Sequence, residues 1–316
     1  MRNPLANPLD AARSEICGAA GRLALYASEQ KLTSTVPLLL IHSVNAAASS
    51  FEVRPLFEYF AVSRPVYALD LPGFGHSYRS NRPYTVRLMT DAILDAVARI
   101  RRLHRGSIDA IALSLSCEFL ARAALENPEA FRSLGLISPT GFEGKARDEA
   151  GGTRGKEWLR RAMNFPLWGK AIFALSTSRS VIRKFLEKTW GSADIDEALL
   201  RYDIATSHQP GARYAPYYFI SGFLFSKDIL RVYERIRQPV WMIHGTRGDF
   251  VDYHLKDRVE HRPNWTIQVL PTGAFPHFEQ LDEVAASYDE FRHALLDVAD
   301  RTRLTAAEGD LIGQDR

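Results

Sequence analysis

The sequence predicts an α/β protein with a mostly parallel sheet flanked by helices and with a helical cap inserted into it. Short apolar runs alternate with amphipathic helical patterns through the first part of the chain. From residue 156 to about 236 only helical patterns occur, and the alternation resumes at Pro239. Strands that alternate with helices at this spacing are typical of a parallel sheet, so the helical block is expected to be an insertion.

Continuous apolar runs predict the strands, because a parallel sheet is covered on both faces. These runs are Val36–His42, Pro65–Leu71, Ile108–Leu113, Phe131–Ile137, Pro239–Gly245 and Trp265–Leu270, and the alternating segment Arg22–Glu29 adds one more strand. Apolar residues at helical spacing predict core helices at Phe51–Phe60, Thr85–Leu103 and Glu279–Leu296.

The inserted block sets the expected domain boundaries. Its predicted helices are Trp158–Met163, Leu167–Leu175, Val181–Lys188, Ile195–Ala205 and Tyr217–Ile236. We expect an N-terminal arm at 1–21, a core made of 22–143 and 237–300, the cap at 144–236 and a flexible tail at 301–316.

Composition excludes several classes of protein. The 316 residues are 46% hydrophobic and 24% charged, which is ordinary for a globular protein with a sizeable core. A net charge of +3 with scattered basic residues argues against nucleic-acid binding. Cys17 and Cys117 are too few for a disulfide framework, and no apolar run has the length of a membrane span. The N-terminus lacks the apolar core of a signal peptide, so we expect a cytoplasmic protein.

The stretch Ile108–Leu125 is the most informative part of the chain. Its apolar run changes into a helical pattern with no loop between them, which requires one tight turn at Ser114. A serine at such a turn is held at the carboxyl edge of the sheet, beside the N–H groups that begin a helix. This is the geometry of a nucleophile elbow, usually written G-x-S-x-G.

The elbow is written A-L-S-L-S here, with Ala112 and Ser116 at the positions where glycine is usual. Both residues are small, and small residues let the strand and the helix pass close to each other. A second interpretation stays open at this point: Ser114 could simply cap a core helix.

Several ordered motifs together resemble the α/β-hydrolase superfamily, of the capped serine-hydrolase type. The segment LDLPGFGHS at 69–77 is similar to the family's D-x-P-G-x-G-x-S turn, and LIH at 40–42 is similar to the strand end before the oxyanion loop. The segment VWMIHGTRGD at 240–249 resembles the strand that carries the acid. The segment GAFPHFEQLDEV at 273–284 resembles the one that carries the base.

The resemblance implies a role for each residue of a catalytic triad. Ser114 would attack an acyl carbon, His277 would act as general base and Asp249 would orient the imidazole. The backbone N–H groups of Val44 and Leu115 would form the oxyanion hole. Asp252 is a rival for the role of the acid, and no cofactor or metal site is implied.

Three departures from the family pattern bear on activity. The family's histidine position is Ala274 here, and alanine cannot accept a proton. Either the loop has shifted so that His277 serves as the base, or His277 begins a helix and the triad is broken. Ser43 stands where the family has glycine, and the elbow lacks its glycines as well.

Aromatic side chains in the cap give the only indication of substrate. Trp168, Tyr217 and Phe223, together with Ser43, are the candidate substrate-binding residues, and they indicate a small hydrophobic substrate. The first functional hypothesis is a serine hydrolase that cleaves an ester, or a related acyl or carbon–carbon bond, through an acyl-enzyme on Ser114. The alternative is a non-hydrolytic lyase or a ligand-binding pseudoenzyme, and the sequence does not determine an oligomeric state.

Overall fold

The computed structural model describes residues 4–29, 36–144 and 151–296. Its eight strands form one sheet in the order β1-β2-β4-β3-β5-β6-β7-β8, and this sheet with its flanking helices confirms the predicted fold class. The strands are β1 (Ala12–Gly18), β2 (Gly21–Ala27), β3 (Leu38–Ile41), β4 (Val66–Leu69), β5 (Ile108–Leu113), β6 (Phe131–Ile137), β7 (Val240–Gly245) and β8 (Trp265–Leu270). Strands β3 to β8 pair in parallel, whereas β1 and β2 are antiparallel to their neighbours.

The helices of the core alternate with these strands along the chain. They are α1 (Arg54–Phe60), α2 (Val86–Leu103), α3 (Ser116–Glu126), α10 (Asp257–Glu260), α11 (Pro276–Glu279) and the helical residues 281–296, here called α12. Thr85 caps the N-terminus of α2 by accepting the N–H of Leu88 at 3.1 Å. No helix within the described ranges is both long enough and apolar enough to cross a membrane.

The predicted N-terminal arm, 1–21, contains a strand that the sequence pattern did not indicate. Residues Ala12–Gly18 form β1 at the edge of the sheet, joined to β2 by a two-residue turn that pairs Gly18 with Gly21. Only Ile16 of this strand is buried, so the apolar alternation of a half-buried strand is missing. The predicted tail at 301–316 lies outside the described residues.

The cap contains six helices within residues 151–236. They are α4 (Glu157–Met163), α5 (Gly169–Ser176), α6 (Arg179–Trp190), α7 (Glu197–Ser207), α8 (Tyr214–Ile220) and α9 (Ile229–Arg235). The prediction of one helix over Tyr217–Ile236 is wrong. Gly222 interrupts it with a φ of +85°, a left-handed conformation that glycine adopts readily.

Alternate strand residues build two apolar clusters on opposite faces of the sheet. Leu39 and Ile41 of β3 belong to the cluster that includes α2 and α3. Leu38 and Leu40 belong to the cluster that includes α1, α12 and the cap helices α6 and α7. Because successive side chains of a strand point to opposite faces, the continuous apolar runs reflect a sheet that is covered on both sides.

Candidate active site

The predicted strand-to-helix turn is present at Ser114. β5 ends at Leu113 and α3 begins at Ser116, and Ser114 has a φ of 51°, in the left-handed region. Its N–H donates to the carbonyl of Ile137 on β6 at 2.8 Å, and its carbonyl accepts the N–H of Cys117 at 3.1 Å. A non-glycine residue pays of order 1–2 kcal/mol for this backbone conformation, so the surrounding contacts hold Ser114 in place.

The two substitutions in the elbow motif are compatible with the turn. Ala112 is fully buried where the strand passes α3. Ser116 is also fully buried, and its hydroxyl donates to the carbonyl of His42 at 2.6 Å. Ser116 therefore adds a bond between the elbow helix and the end of β3 that a glycine could not make.

Residues 42–45, which we call the oxyanion loop, follow β3 beside the elbow. His42 accepts the N–H of Leu71 at Nε2 (3.0 Å) and therefore donates from Nδ1 to the carbonyl of Ser43 (2.5 Å). Burial lowers the pKa of His42, so the ring is neutral, and its two hydrogen bonds join Ser43 to Leu71. The N–H groups of Val44 and Leu115 donate to no acceptor among the residues that the structure describes, so both are free for a ligand oxygen.

Glu52, which no sequence pattern identified, lies in a 3₁₀ turn, Ser50–Val53, and is 1% exposed. Its carboxylate accepts the N–H of Ser43 at Oε2 and the amide of Asn45 at Oε1, both at 2.7 Å. Burial raises the pKa of Glu52 to about 7, against the opposing effect of the hydrogen bonds from Ser43 and Asn45. The burial of Glu52 is the only feature that indicates its role in holding Ser43 and Asn45. Burial results from tertiary packing, which a local sequence pattern does not reveal.

Asp203 of α7 was likewise not identified, and it is buried at the seam between the cap and the 50–53 turn. Phe51 and Tyr202 stack across this seam with ring centroids 4.9 Å apart. Oδ1 of Asp203 has no hydrogen-bond partner within the described part of the chain. Burial, and then the charge of Glu52, raise the pKa of Asp203 well above its usual range.

His277 is fully buried at the start of α11, and its imidazole faces the 50–53 turn. Nε2 donates to the carbonyl of Glu52 at 2.7 Å, and Nδ1 has no partner among the described residues. Burial lowers the pKa of His277 to about 4. Neither ring nitrogen bonds to Ser114 or to Asp249, so the structure does not join the three predicted triad residues by hydrogen bonds.

Asp249 and its rival, Asp252, both have side chains that are about half exposed. The carboxylate of Asp249 is about half exposed and accepts the Lys188 ammonium at 3.0 Å. Asp252 is paired with His254 at 2.5 Å and also accepts the N–H of Gly144 at 3.2 Å. The predicted acids therefore bond to other side chains at the surface, and neither bonds to His277.

The C-terminus of cap helix α6 binds the two loops that the resemblance assigns to acid and base. The carbonyl of Lys188 accepts the N–H of Asp249 at 3.0 Å, and the carbonyl of Thr189 accepts the N–H of Ala274 at 2.8 Å. The guanidinium of Arg247 donates to the carbonyl of Trp190 at 3.3 Å. The last carbonyls of a helix have no partner within it, and here the loops after β7 and β8 supply the donors.

Glycines make this close contact possible. A Cβ atom on Gly248 would lie 2.3 Å from the carbonyl oxygen of Lys188, and one on Gly273 would lie 2.5 Å from that of Thr189. Gly248 also has a φ of +86°. The cap therefore lies directly on the loop backbone where larger side chains would separate them.

The predicted substrate-binding aromatic residues make hydrogen bonds and ring contacts inside the cap. Trp168 donates to the carbonyl of Ala162 at 2.8 Å and stacks on Phe165. Tyr217 donates to the carbonyl of Gly169 at 2.6 Å. The ring of Phe223 packs edge-on against Tyr218, with centroids 5.8 Å apart. A substrate-binding role for these three residues stays a prediction.

An open cleft of about 650 Å³ lies where the cap meets the core. It is lined by Pro4, Leu5, Ala6, Phe51, Arg54, Ala198, Arg201, Tyr202, Ala205, His208 and Gln209. Within the described ranges, no three His, Cys, Asp or Glu side chains are grouped so that they could hold a metal ion.

Comparison with known proteins identifies the family. The sequence matches a model of the alpha/beta hydrolase family over residues 38–287, and a search of curated protein sequences finds no match.

Similar solved structures include a serine hydrolase involved in carbazole degradation, the CarC enzyme, with a TM-score of 0.70 and 14% identity over 90% of this chain and 99% of that one. A meta-cleavage product hydrolase from Pseudomonas fluorescens IP01, CumD, has a TM-score of 0.67 and 18% identity over 89% and 97%. A thermophilic esterase from Thermogutta terrifontis has a TM-score of 0.67 and 16% identity over 90% and 99%. At these identities the structures show a shared fold. Together with the family match over most of its length, they show that the chain belongs to the alpha/beta hydrolase family.

Proposed function

We propose that the chain binds a small apolar carbonyl compound at the Ser114 elbow and does so without a serine–histidine–acid relay. The carbonyl oxygen would accept hydrogen bonds from the N–H groups of Val44 and Leu115, which donate to no acceptor among the described residues. The aromatic-rich cap supports an apolar ligand.

One observation carries this proposal: the N–H at Nε2 of His277 donates a hydrogen bond to the carbonyl of Glu52. A serine hydroxyl needs an adjacent base to become a useful nucleophile at neutral pH. Nδ1 of His277, the nitrogen without the proton, makes no hydrogen bond to Ser114, and Asp249 is held at the surface by Lys188. Ligand binding fits this geometry better than acyl transfer does.

A second candidate is the serine hydrolase that cleaves an ester, or a related acyl or carbon–carbon bond, through an acyl-enzyme on Ser114. The left-handed conformation of Ser114 favours it, because strained backbone of this kind concentrates at functional sites. Hydrolysis would require the unprotonated Nδ1 of His277 to come within hydrogen-bonding reach of Ser114.

Labelling with a fluorophosphonate probe separates the two candidates. We expect no rapid labelling of the wild type, because such a probe reports an activated serine whatever the natural substrate. Labelling that is lost in both Ser114→Ala and His277→Ala would overturn the binding proposal and establish the hydrolase.

Ligand-detected NMR with a panel of small aryl and alkyl ketones tests the binding itself. Asparagine tolerates a positive φ better than most residues, so Ser114→Asn should keep the turn while its larger side chain fills the site. We expect binding to be lost in Ser114→Asn and kept in the matched variant Ser114→Ala. Equal binding to both variants would place the ligand elsewhere.

A further inference from the structure

Glu52 joins three parts of the molecule at the oxyanion loop. Its two carboxylate oxygens hold Ser43 and Asn45, the residues on either side of Val44, at 2.7 Å each. Its carbonyl holds His277 at 2.7 Å. A single buried side chain therefore fixes the backbone around a proposed ligand-binding N–H group.

We propose that Glu52 is the positioning residue for the Val44 N–H group and that its own ionisation sets how firmly it holds the oxyanion loop. The inference rests on the proposed site at Ser114 and adds its regulation by protonation. An ionised carboxylate accepts both hydrogen bonds strongly, because charge-assisted hydrogen bonds are about twice as strong as neutral ones. A protonated Glu52 would hold the oxyanion loop more loosely.

Asp203 is the buried carboxyl that the cap brings toward this turn. The rings of Phe51 and Tyr202, each next in sequence to one of the two carboxyl residues, stack and hold α7 against the 50–53 turn. Glu52 is 1% exposed and Asp203 is 2% exposed. No arginine or lysine is paired with either carboxyl in the described ranges. Two buried carboxyls without a cation resist ionising together, and the charge of Glu52 raises the pKa of Asp203, so Asp203 keeps its proton when Glu52 ionises.

The other ionisable groups around the 50–53 turn already have fixed roles. Asp70 accepts the N–H of Ser50 at 2.8 Å. Burial lowers the pKa values of His42 and His277, that of His277 to about 4, so both rings are neutral near pH 7. Arg54 is paired with Glu58 at the surface. Asp203, the carboxyl from the cap, keeps its proton, so the ionisation of Glu52 is the event that a titration near pH 7 follows.

The first test follows the backbone amide of Ser43 by ¹H–¹⁵N NMR across a pH titration of the ligand-free protein. This amide donates to Glu52 and therefore reports its ionisation. We expect the Ser43 amide to titrate with a midpoint near pH 7, the raised pKa of Glu52. Asp203→Asn replaces a carboxyl that keeps its proton, so it should leave this midpoint unchanged. Glu197→Gln, which alters an exposed carboxyl on the same helix, should leave it unchanged as well.

The second test removes the ionisable group itself. Glu52→Gln should abolish the Ser43 titration and weaken ketone binding at pH 8 by about tenfold, the effect of losing one charged hydrogen bond. Glu58→Gln, six residues further along the chain and exposed in α1, should change neither quantity.

A Ser43 titration that persists in Glu52→Gln, or a Ser43 amide that does not titrate in the wild type between about pH 5 and pH 9, would overturn the proposal. The titration needs no ligand, so absence of ketone binding would count against the proposed function alone. Should Glu52→Gln fail to fold, the titration of Ser43 in the wild type still decides the matter.

Discussion

At the scale of single residues, Ser114 is the clearest point of conflict between local preference and the observed backbone. A serine with a φ of 51° occupies a region that favours glycine. The hydrogen bonds to Ile137 and Cys117 hold it there. Any function of the elbow depends on this conformation, because it presents the side chain at the end of β5.

The conformation can be tested through stability. Ser114→Gly should raise the free energy of unfolding by about 1 kcal/mol, since glycine adopts a positive φ without the steric cost. Urea denaturation of both proteins at one pH measures the difference.

Ser116→Gly provides a control of opposite sign. It removes the hydrogen bond to the His42 carbonyl and places glycine in the first turn of α3. We expect a loss of about 1–2 kcal/mol. Destabilisation of the same size by both substitutions would contradict the left-handed conformation of Ser114.

At the scale of elements, the sequence predicted the sheet better than the cap. Strands β5, β6 and β8 lie at the predicted residues, because a strand covered on both faces is a continuous apolar run. Strand β1 escaped prediction because only Ile16 of it is buried. The division between α8 and α9 depends on a single glycine turn within a long apolar segment.

The candidate site was predictable where it follows a local pattern. The turn at Ser114 comes from the direct change of period between strand and helix, and the oxyanion loop comes from the end of a buried strand. Glu52 and Asp203 could not be identified, because an acid within a helical pattern is typical of a solvated face. Their burial results from the packing of α7 on the 50–53 turn, which is a tertiary contact.

The contact between α6 and the loop after β7 yields a second prediction. Gly248→Ala should destabilise the protein by about 2–5 kcal/mol, combining the cost of a positive φ with overpacking against the Lys188 carbonyl. Hydrogen exchange at the amides of Asp249 and Ala274 should accelerate, because their bonds to α6 would loosen.

Gly106→Ala is the matched control for this substitution. Gly106 has a φ of +105°, and nothing lies within 4 Å of the position that its Cβ would take. Its replacement should cost only the backbone term, about 1–2 kcal/mol. Equal losses of stability in Gly106→Ala and Gly248→Ala would show that the cap moves to accommodate the added methyl group.

At the scale of the whole molecule, Glu118 connects the core to the cap. It lies in the first turn of α3, fully buried, and accepts the hydroxyl of Thr140 at 2.7 Å and the N–H of Ser226 at 3.0 Å. Burial raises the pKa of Glu118 to about 7. The folded protein therefore keeps a proton that the unfolded chain releases near pH 4.5.

This raised pKa gives a prediction with a definite sign. The contribution of Glu118 to stability is greatest below pH 4.5 and is lost as the pH rises through 7. Glu118→Gln removes the dependence, so the variant should gain about 2–3 kcal/mol relative to the wild type between pH 5 and pH 8. Thermal or urea unfolding at the two pH values measures the change.

Glu126→Gln is the control for Glu118→Gln. Glu126 lies on the same helix, but its side chain is exposed and is paired with Arg87. Its stability difference from the wild type should be nearly the same at both pH values. A relative gain for Glu118→Gln of less than about 1 kcal/mol would show that the folded protein does not retain the proton.

The hydrogen bonds between the last carbonyls of α6 and two loop backbones also limit which substitutions this contact can accept. A new imidazole at Ala274 would enter a buried position whose amide is bonded to Thr189, and any side chain at Gly248 would meet the oxygen of Lys188. Moving the end of α6 to make room would leave its last carbonyls without donors. Substitutions that enlarge either loop therefore act on the cap and on the sheet domain at once, because both sides share one set of hydrogen bonds.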